Sequence, residues 1–81
     1  MTFSYDRHAD VLYIMFEEIP PSAYIFVENE YGDVLKLDRV SRRVVGCTIP
    51  CFIARTRQGK ISIPEIGAVP FNEIAGELVG Q

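Results

Sequence analysis

Val11-Leu12-Tyr13-Ile14-Met15-Phe16 and Ala23-Tyr24-Ile25-Phe26-Val27 are unbroken apolar runs built from β-branched, aromatic and long aliphatic residues. Neither run alternates. A strand covered on one face alternates apolar with polar side chains, so both faces of these two strands are expected to be withdrawn from water. Between the runs, Glu17 to Ser22 contains Pro20-Pro21, which cannot continue a central strand and therefore reads as a connection. Upstream, Phe3-Ser4-Tyr5 alternates, and Asp6-Arg7-His8-Ala9-Asp10 interrupts it with turn-forming residues. That is the pattern of two strands joined by a tight turn.

Downstream, Glu30-Tyr31-Gly32-Asp33 supplies the glycine that a hairpin turn needs where φ becomes positive, and Val34-Leu35-Lys36-Leu37-Asp38 then alternates like a half-solvated strand. Arg39 to Arg43 makes a polar connection into Val44-Val45-Gly46-Cys47-Thr48-Ile49, and Pro50 ends regular pairing or marks a bulge or edge. Cys51-Phe52-Ile53 fits either a resumed strand or a helical turn. Arg55 to Lys60 reads as a polar loop, and Ile61-Ser62-Ile63 as a short extended piece stopped by Pro64. From Pro70 the period changes: Phe71, Ile74, Ala75, Leu78 and Val79 form the stripe of an amphipathic helix, with Pro70 at its start and Gly80 as its cap. The fold class expected is α+β, an antiparallel β-meander of about four to five strands with one short C-terminal helix, in a single small domain over residues 1–81.

The chain has 81 residues, 48% hydrophobic and 23% charged, a composition that excludes an intrinsically disordered polypeptide. No apolar run approaches the roughly 20 residues of a membrane span, and no basic region leads into one, so the expectation is an unexported, cytoplasmic protein without a membrane partner. Four strands present a face of roughly 20 by 19 Å, and a nine-residue helix roughly 13.5 Å long covers less than half of it. Loops, curling of the sheet or a second subunit must hide the rest. A symmetric homodimer is the solution favoured here, because apolar patches of several hundred Å² usually mark interfaces.

The net charge of −3 is strongly segregated. Residues 1–35 carry Arg7 against seven acids, whereas residues 36–60 carry seven cations against Asp38 alone. Acidic strands lying beside basic ones account for this simply. The sharper account is an anionic partner, a nucleic acid or an acidic protein, held by Arg39, Arg42, Arg43 and Arg55.

Catalytic constellations are weak. Asp6, His8 and Asp10 offer the residue types of a metal site, but His8 is the only histidine and the aspartates are better read as capping turn amides, so no metal is expected. Cys47 and Cys51 have the wrong spacing for a redox or zinc pair and lie roughly 13 Å apart if extended, so both are read as unbridged core cysteines. Glu17 and Glu18 are adjacent and point to opposite faces of a strand, no serine lies in a nucleophile elbow, and no glycine-rich phosphate cradle is present. Neither an enzyme nor a cofactor is expected.

Ser4-Tyr5-Asp6-Arg7-His8-Ala9-Asp10-Val11-Leu12-Tyr13-Ile14 resembles the opening signature Tyr-Asp-x-x-x-Asp-x-Leu-Tyr-Ile of a small prokaryotic family, domain of unknown function family 2283. Arg43-Val44-Val45-Gly46 before an apolar strand looks like its second hallmark, although the Asp-x-x-Gly turn usual before that element is replaced here by the glycine-free Asp38-Arg39-Val40-Ser41-Arg42-Arg43. The resemblance covers about the first two thirds of the chain. It implies a compact sheet-rich fold with no assigned activity, and an antitoxin-like role through a small protein partner. Tyr5, Asp6, Asp10, Leu12, Tyr13 and Gly46 carry the signature and are read as structural: Tyr5 and Tyr13 as a cross-strand aromatic pair, Asp6 and Asp10 as holding the turn between them. The expected function is a non-enzymatic interaction module, homodimeric, with nucleic-acid binding through residues 36–60 as the alternative.

Overall fold

The computed structural model describes residues 1–59 and 61–79, with the Val79 side chain excluded, so Lys60, that side chain and the expected Gly80 cap lie outside the described residues. Five strands form one antiparallel sheet: β1 (Thr2–Asp6), β2 (Val11–Met15), β3 (Tyr24–Glu28), β4 (Val34–Asp38) and β5 (Val44–Pro50). They lie in the order β1-β2-β5-β4-β3. Two helices follow, α1 (Phe52–Gln58) and α2 (Phe71–Val79), with single 3-10 turns at Pro21–Ala23 and Pro64–Ile66. The molecule is the α+β fold expected, with an antiparallel sheet and a C-terminal helix.

The strand order divides the sheet into a hairpin, β1-β2, and a three-strand meander, β3-β4-β5, which meet where β2 pairs with β5. Because β5 occupies the place beside β2, the Pro20-Pro21 connection has to carry the chain past β5 and β4 to the far edge. Backbone bonds tack it down on the way: Phe16 N and Glu17 N donate to Val45 O at 2.8 and 3.2 Å, and Arg39 N donates to Ala23 O at 2.8 Å. Gly32 takes φ 87° in the β3–β4 turn, as its sequence context requires. Pro50 closes β5, opposite Val11, where the loss of its N–H ends pairing in the middle of the sheet.

The register sorts side chains onto two unlike faces. One carries Tyr5, Leu12 and Ile49 in one row and Phe3, Ile14, Cys47, Leu35 and Val27 in the next. Leu12, Ile14, Leu35, Cys47 and Ile49 are buried there beneath Phe52 of α1, Ile63, and Phe71, Ile74 and Ala75 of α2. Tyr5, Phe52 and Phe71 stack edge to face, with ring centroids 6.3 and 6.1 Å apart. Full burial of Phe52 is worth about 2–3 kcal/mol, a large share of the stability of so small a domain.

Ile61-Ser62-Ile63 is the short piece stopped at Pro64 that the sequence predicts; it has no ladder partner, and Ile63 is drawn down into the core under the helices. Two local expectations need correction. Arg55 to Gln58, expected in a polar loop, belong to helix α1, which begins at Phe52 and so takes the helical alternative there: Ala54, Arg55 and Gln58 favour it, Arg55 and Arg57 sit in its last turn, and Gly59 ends it. Of the two cysteines, both free, only Cys47 is buried, and burial pushes its thiol up to about 12. Cys51 is exposed at the head of α1 with φ 52°.

Gly46 lies in the centre of the sheet, opposite Met15 on one side and Lys36 on the other. A Cβ there would stand 2.9 Å from Ile14 O and 3.3 Å from Lys36 Cδ, and the first of these neighbours is backbone. Gly46→Ala is therefore expected to lower the unfolding free energy by about 2 kcal/mol, read as a reduced urea midpoint at unchanged slope. An unchanged midpoint would show that β2 and β5 can separate locally without loss.

Candidate functional site

The junction between the β1–β2 turn and α1 is built around Asp10. Asp6 Oδ1 accepts the His8 and Ala9 amides at 3.0 and 3.2 Å and so closes the β1–β2 turn by itself. Asp10, in the left-handed region at φ 55°, points elsewhere. Its Oδ1 accepts Ile53 N at 2.8 Å and the Tyr5 hydroxyl at 2.7 Å, its Oδ2 accepts Ala54 N at 3.2 Å, and its backbone oxygen accepts Phe52 N at 3.0 Å. Cys51 stands at the helix start and makes no side-chain cap bond, so the N-cap of α1 comes from a turn some 40 residues earlier. Burial alone would raise the Asp10 carboxyl, but the Ile53, Tyr5 and Ala54 hydrogen bonds outweigh it and hold it below 3.8. The same bond to Asp10, with burial, raises Tyr5 above 10.0.

The expected Tyr5–Tyr13 pair does not form. Tyr5 lies opposite Leu12 and Tyr13 opposite Ser4, so the two rings occupy opposite faces of the sheet. Of the remaining motif residues, Leu12 is fully buried and Gly46 sits where β2 approaches closely.

Of the four arginines expected to hold an anionic partner, Arg39, Arg42 and Arg43 share the β4–β5 turn, whereas Arg55 stands on α1. Arg55, on α1, is bound to Asp33, which is fully buried: Nη1 to Oδ1 is 2.5 Å and Nη2 to Oδ2 is 3.3 Å. Asn29 donates from Nδ2 to Asp33 Oδ2 at 3.2 Å and takes the Tyr31 and Asp33 amides on Oδ1, completing a network that fastens the β3–β4 turn to α1. Releasing Arg55 to a ligand would leave a buried unpaired carboxylate, at a cost of several kcal/mol. Arg43 forms a two-toothed pair with Glu17, with contacts of 2.8–3.1 Å. Arg39 Nε donates to Ser22 O at 3.2 Å. Arg42 occupies the left-handed position, φ 66°, of a turn organised by Asp38, whose Oδ1 accepts the Val40 and Ser41 amides. These backbone bonds hold Asp38 below its usual value. Arg42 thus takes up a left-handed conformation that glycine adopts without strain.

What sequence reasoning missed is the second face of the sheet. Tyr13, Thr48, Val34 and Glu28 form one row across it; Met15, Gly46, Lys36 and Phe26 form the next, with Tyr24 beyond. No element among the described residues packs on this face, and Tyr13 is 43% and Phe26 61% exposed. The Lys36 Nζ lies 4.7 Å from the Tyr24 ring centroid and 5.9 Å from that of Phe26, while the two rings meet edge to face at 5.4 Å. A groove of about 210 Å³ is lined by Tyr13, Met15, Lys36 and Thr48, together with Thr2 and Ser4 of β1. The signal was present in the sequence: the alternation Leu35-Lys36-Leu37 marks a polar position on an otherwise apolar face.

Asp10→Ala removes three charge-assisted or hydroxyl hydrogen bonds at once and is expected to cost about 2–4 kcal/mol in urea unfolding, with Asp10→Asn losing about half as much. Because the folded carboxyl is held below 3.8, its contribution is complete above that value and disappears as pH falls through the lower folded one. Both variants should therefore lose less stability than the parent between about pH 5 and about pH 2. Parallel acid profiles would place the stabilisation elsewhere.

Comparison of the chain with protein-family models, with curated proteins and with solved structures finds no match.

Proposed function

We propose that the protein is a non-enzymatic interaction module that acts as a homodimer. The observation that carries this reading is the uncovered sheet face. The helices and the Ile61–Val69 segment pack against one face, while Tyr13 and Phe26 stay exposed on the other and Val11, Met15, Tyr24 and Val34 are only half-buried. An apolar and aromatic surface of this kind is the usual mark of a contact between proteins.

The two carboxylates that the fold encloses among the described residues are engaged within it. Asp10 is occupied by amide and hydroxyl donors, and Asp33 by Arg55 and Asn29. Among the described residues no three His, Cys, Asp or Glu side chains gather as metal ligands. No helix among them is long and apolar enough to cross a membrane. With Arg55 committed to Asp33 and Arg43 to Glu17, a nucleic-acid reading would rest on Arg39 and Arg42, and the uncovered face favours a protein partner.

Light scattering between about 10 and 200 µM is expected to give a mass moving toward twice the chain mass of 9.2 kDa, the range in which small interfaces associate. A mass of one chain throughout would overturn the homodimer. In a low-salt shift assay, no nucleic-acid complex is expected; a band that weakens steeply with salt and with Arg42→Ala would favour the alternative instead.

A further inference from the structure

Strand β3 is a sheet edge, and the direction of its unused backbone groups can be read from the bonds at either end of its ladder with β4. Asn29 N donates to Asp33 O, and Arg39 N donates to Ala23 O. Both pairs lie in the β3–β4 register that sets Tyr24 opposite Asp38 and Glu28 opposite Val34. In an antiparallel ladder the bonded residues recur at every second position, so Ile25 and Val27 bond inward to β4. Tyr24, Phe26 and Glu28 then turn their N–H and C=O groups outward. The edge is poorly guarded: its five residues include no proline and no lysine, and Phe26 and Val27 are 61% and 41% exposed.

We infer that the homodimer forms by antiparallel pairing of β3 with the β3 of a second copy, about a two-fold axis at Phe26, giving a continuous ten-stranded sheet. The inference rests on the self-association proposed above and places its contact at the β3 margin of the open face, where Phe26 meets its counterpart while Tyr13 stays uncovered. An axis at Phe26 is the arrangement in which outward-facing groups meet outward-facing groups. Phe26 lies opposite its counterpart, Tyr24 opposite Glu28 of the second copy, and Ile25 opposite Val27 of the second copy. Each outward N–H finds a carbonyl.

Charge supplies an independent argument. Lys36 is held over the Tyr24 ring, 4.7 Å from its centroid, and forms no ion pair with any described residue. Pairing about Phe26 places Glu28 of the second copy beside that same Tyr24, on the same face of the sheet, with Cβ atoms about 5 Å apart. The carboxylate therefore enters the neighbourhood of the Lys36 ammonium, and symmetry makes the contact twice. The opposite edge offers nothing comparable: β1 turned on itself about Ser4 sets Thr2 against Asp6 and brings no opposite charges together.

Sedimentation equilibrium on the full chain tests this with Glu28→Lys, Lys36→Glu, the double variant carrying both changes, and Tyr13→Asp, all checked for folding by circular dichroism. Each single charge reversal is expected to weaken dimerisation about tenfold or more, since two attractive contacts become repulsive, and the double variant to return within about threefold of the parent. Tyr13→Asp, on β2 and three strands from the β3 edge, should leave the dissociation constant unchanged. A dimer indifferent to the charge reversals, singles that the double variant does not rescue, or a dimer lost through Tyr13→Asp alone would overturn the β3 interface while leaving self-association intact. A parent chain that stays monomeric would remove both.

Discussion

The carboxylate of Asp10 is the contact on which the arrangement turns. A seven-residue helix is too short to hold its shape in water, and α1 starts at a residue whose side chain makes no cap bond. Asp10 supplies the missing acceptors to three successive amides, two through its side chain and one through its carbonyl. Once α1 is fixed, Phe52 is seated between Tyr5 and Phe71, α2 has a surface to lie on, and the β1–β2 hairpin is tied to the far end of the chain. The Asp33–Arg55 pair does the same from the other side, anchoring α1 to the β3–β4 turn. One short helix is thus held by two carboxylates from two different hairpins.

Much of the architecture was legible because it depends on local pattern. The apolar runs, the Gly32 turn, the Pro20-Pro21 connection and the amphipathic period from Phe71 each specify their own element through neighbouring residues. Helix α1 was not legible for the same reason: the side chain that begins it stands some 40 positions away, and a polar Arg-Thr-Arg-Gln segment without a local cap looks like a loop. The strand order was hidden too, since nothing in Glu17 to Ser22 records that it must cross the sheet. Unbroken apolar runs suggested strands buried on both sides, whereas Tyr13 and Phe26 place aromatic rings on a face that no described element covers. Aromatic side chains obscure the alternation because they count as apolar wherever they point.

The segregation of charge along the sequence resolves in three dimensions. Both ion pairs among the described residues, Glu17–Arg43 and Asp33–Arg55, join the acidic first stretch to the basic second one. Only the second is withdrawn from water, and it acts by fixing a position; the exposed first pair contributes little to stability. Two members of the basic stretch, Arg43 and Arg55, are thus taken up by acids of the first stretch. Lys36 is laid instead across two aromatic rings in the middle of an open surface.

The meeting of β2 with β5 gives the sheet a seam. Every other strand pair joins neighbours along the chain, whereas Val11 meets Pro50 and Met15 meets Gly46 across more than thirty residues. Closing so long a loop is entropically harder than forming a hairpin, so β3, β4 and β5 can assemble as a local unit before the amino-terminal hairpin arrives. Amide exchange should then register two cooperative blocks divided along this line. When the first block detaches, the edge of β5 is laid bare at the same moment that α1 loses its cap, so a single opening event unlocks both the sheet and its helical lid.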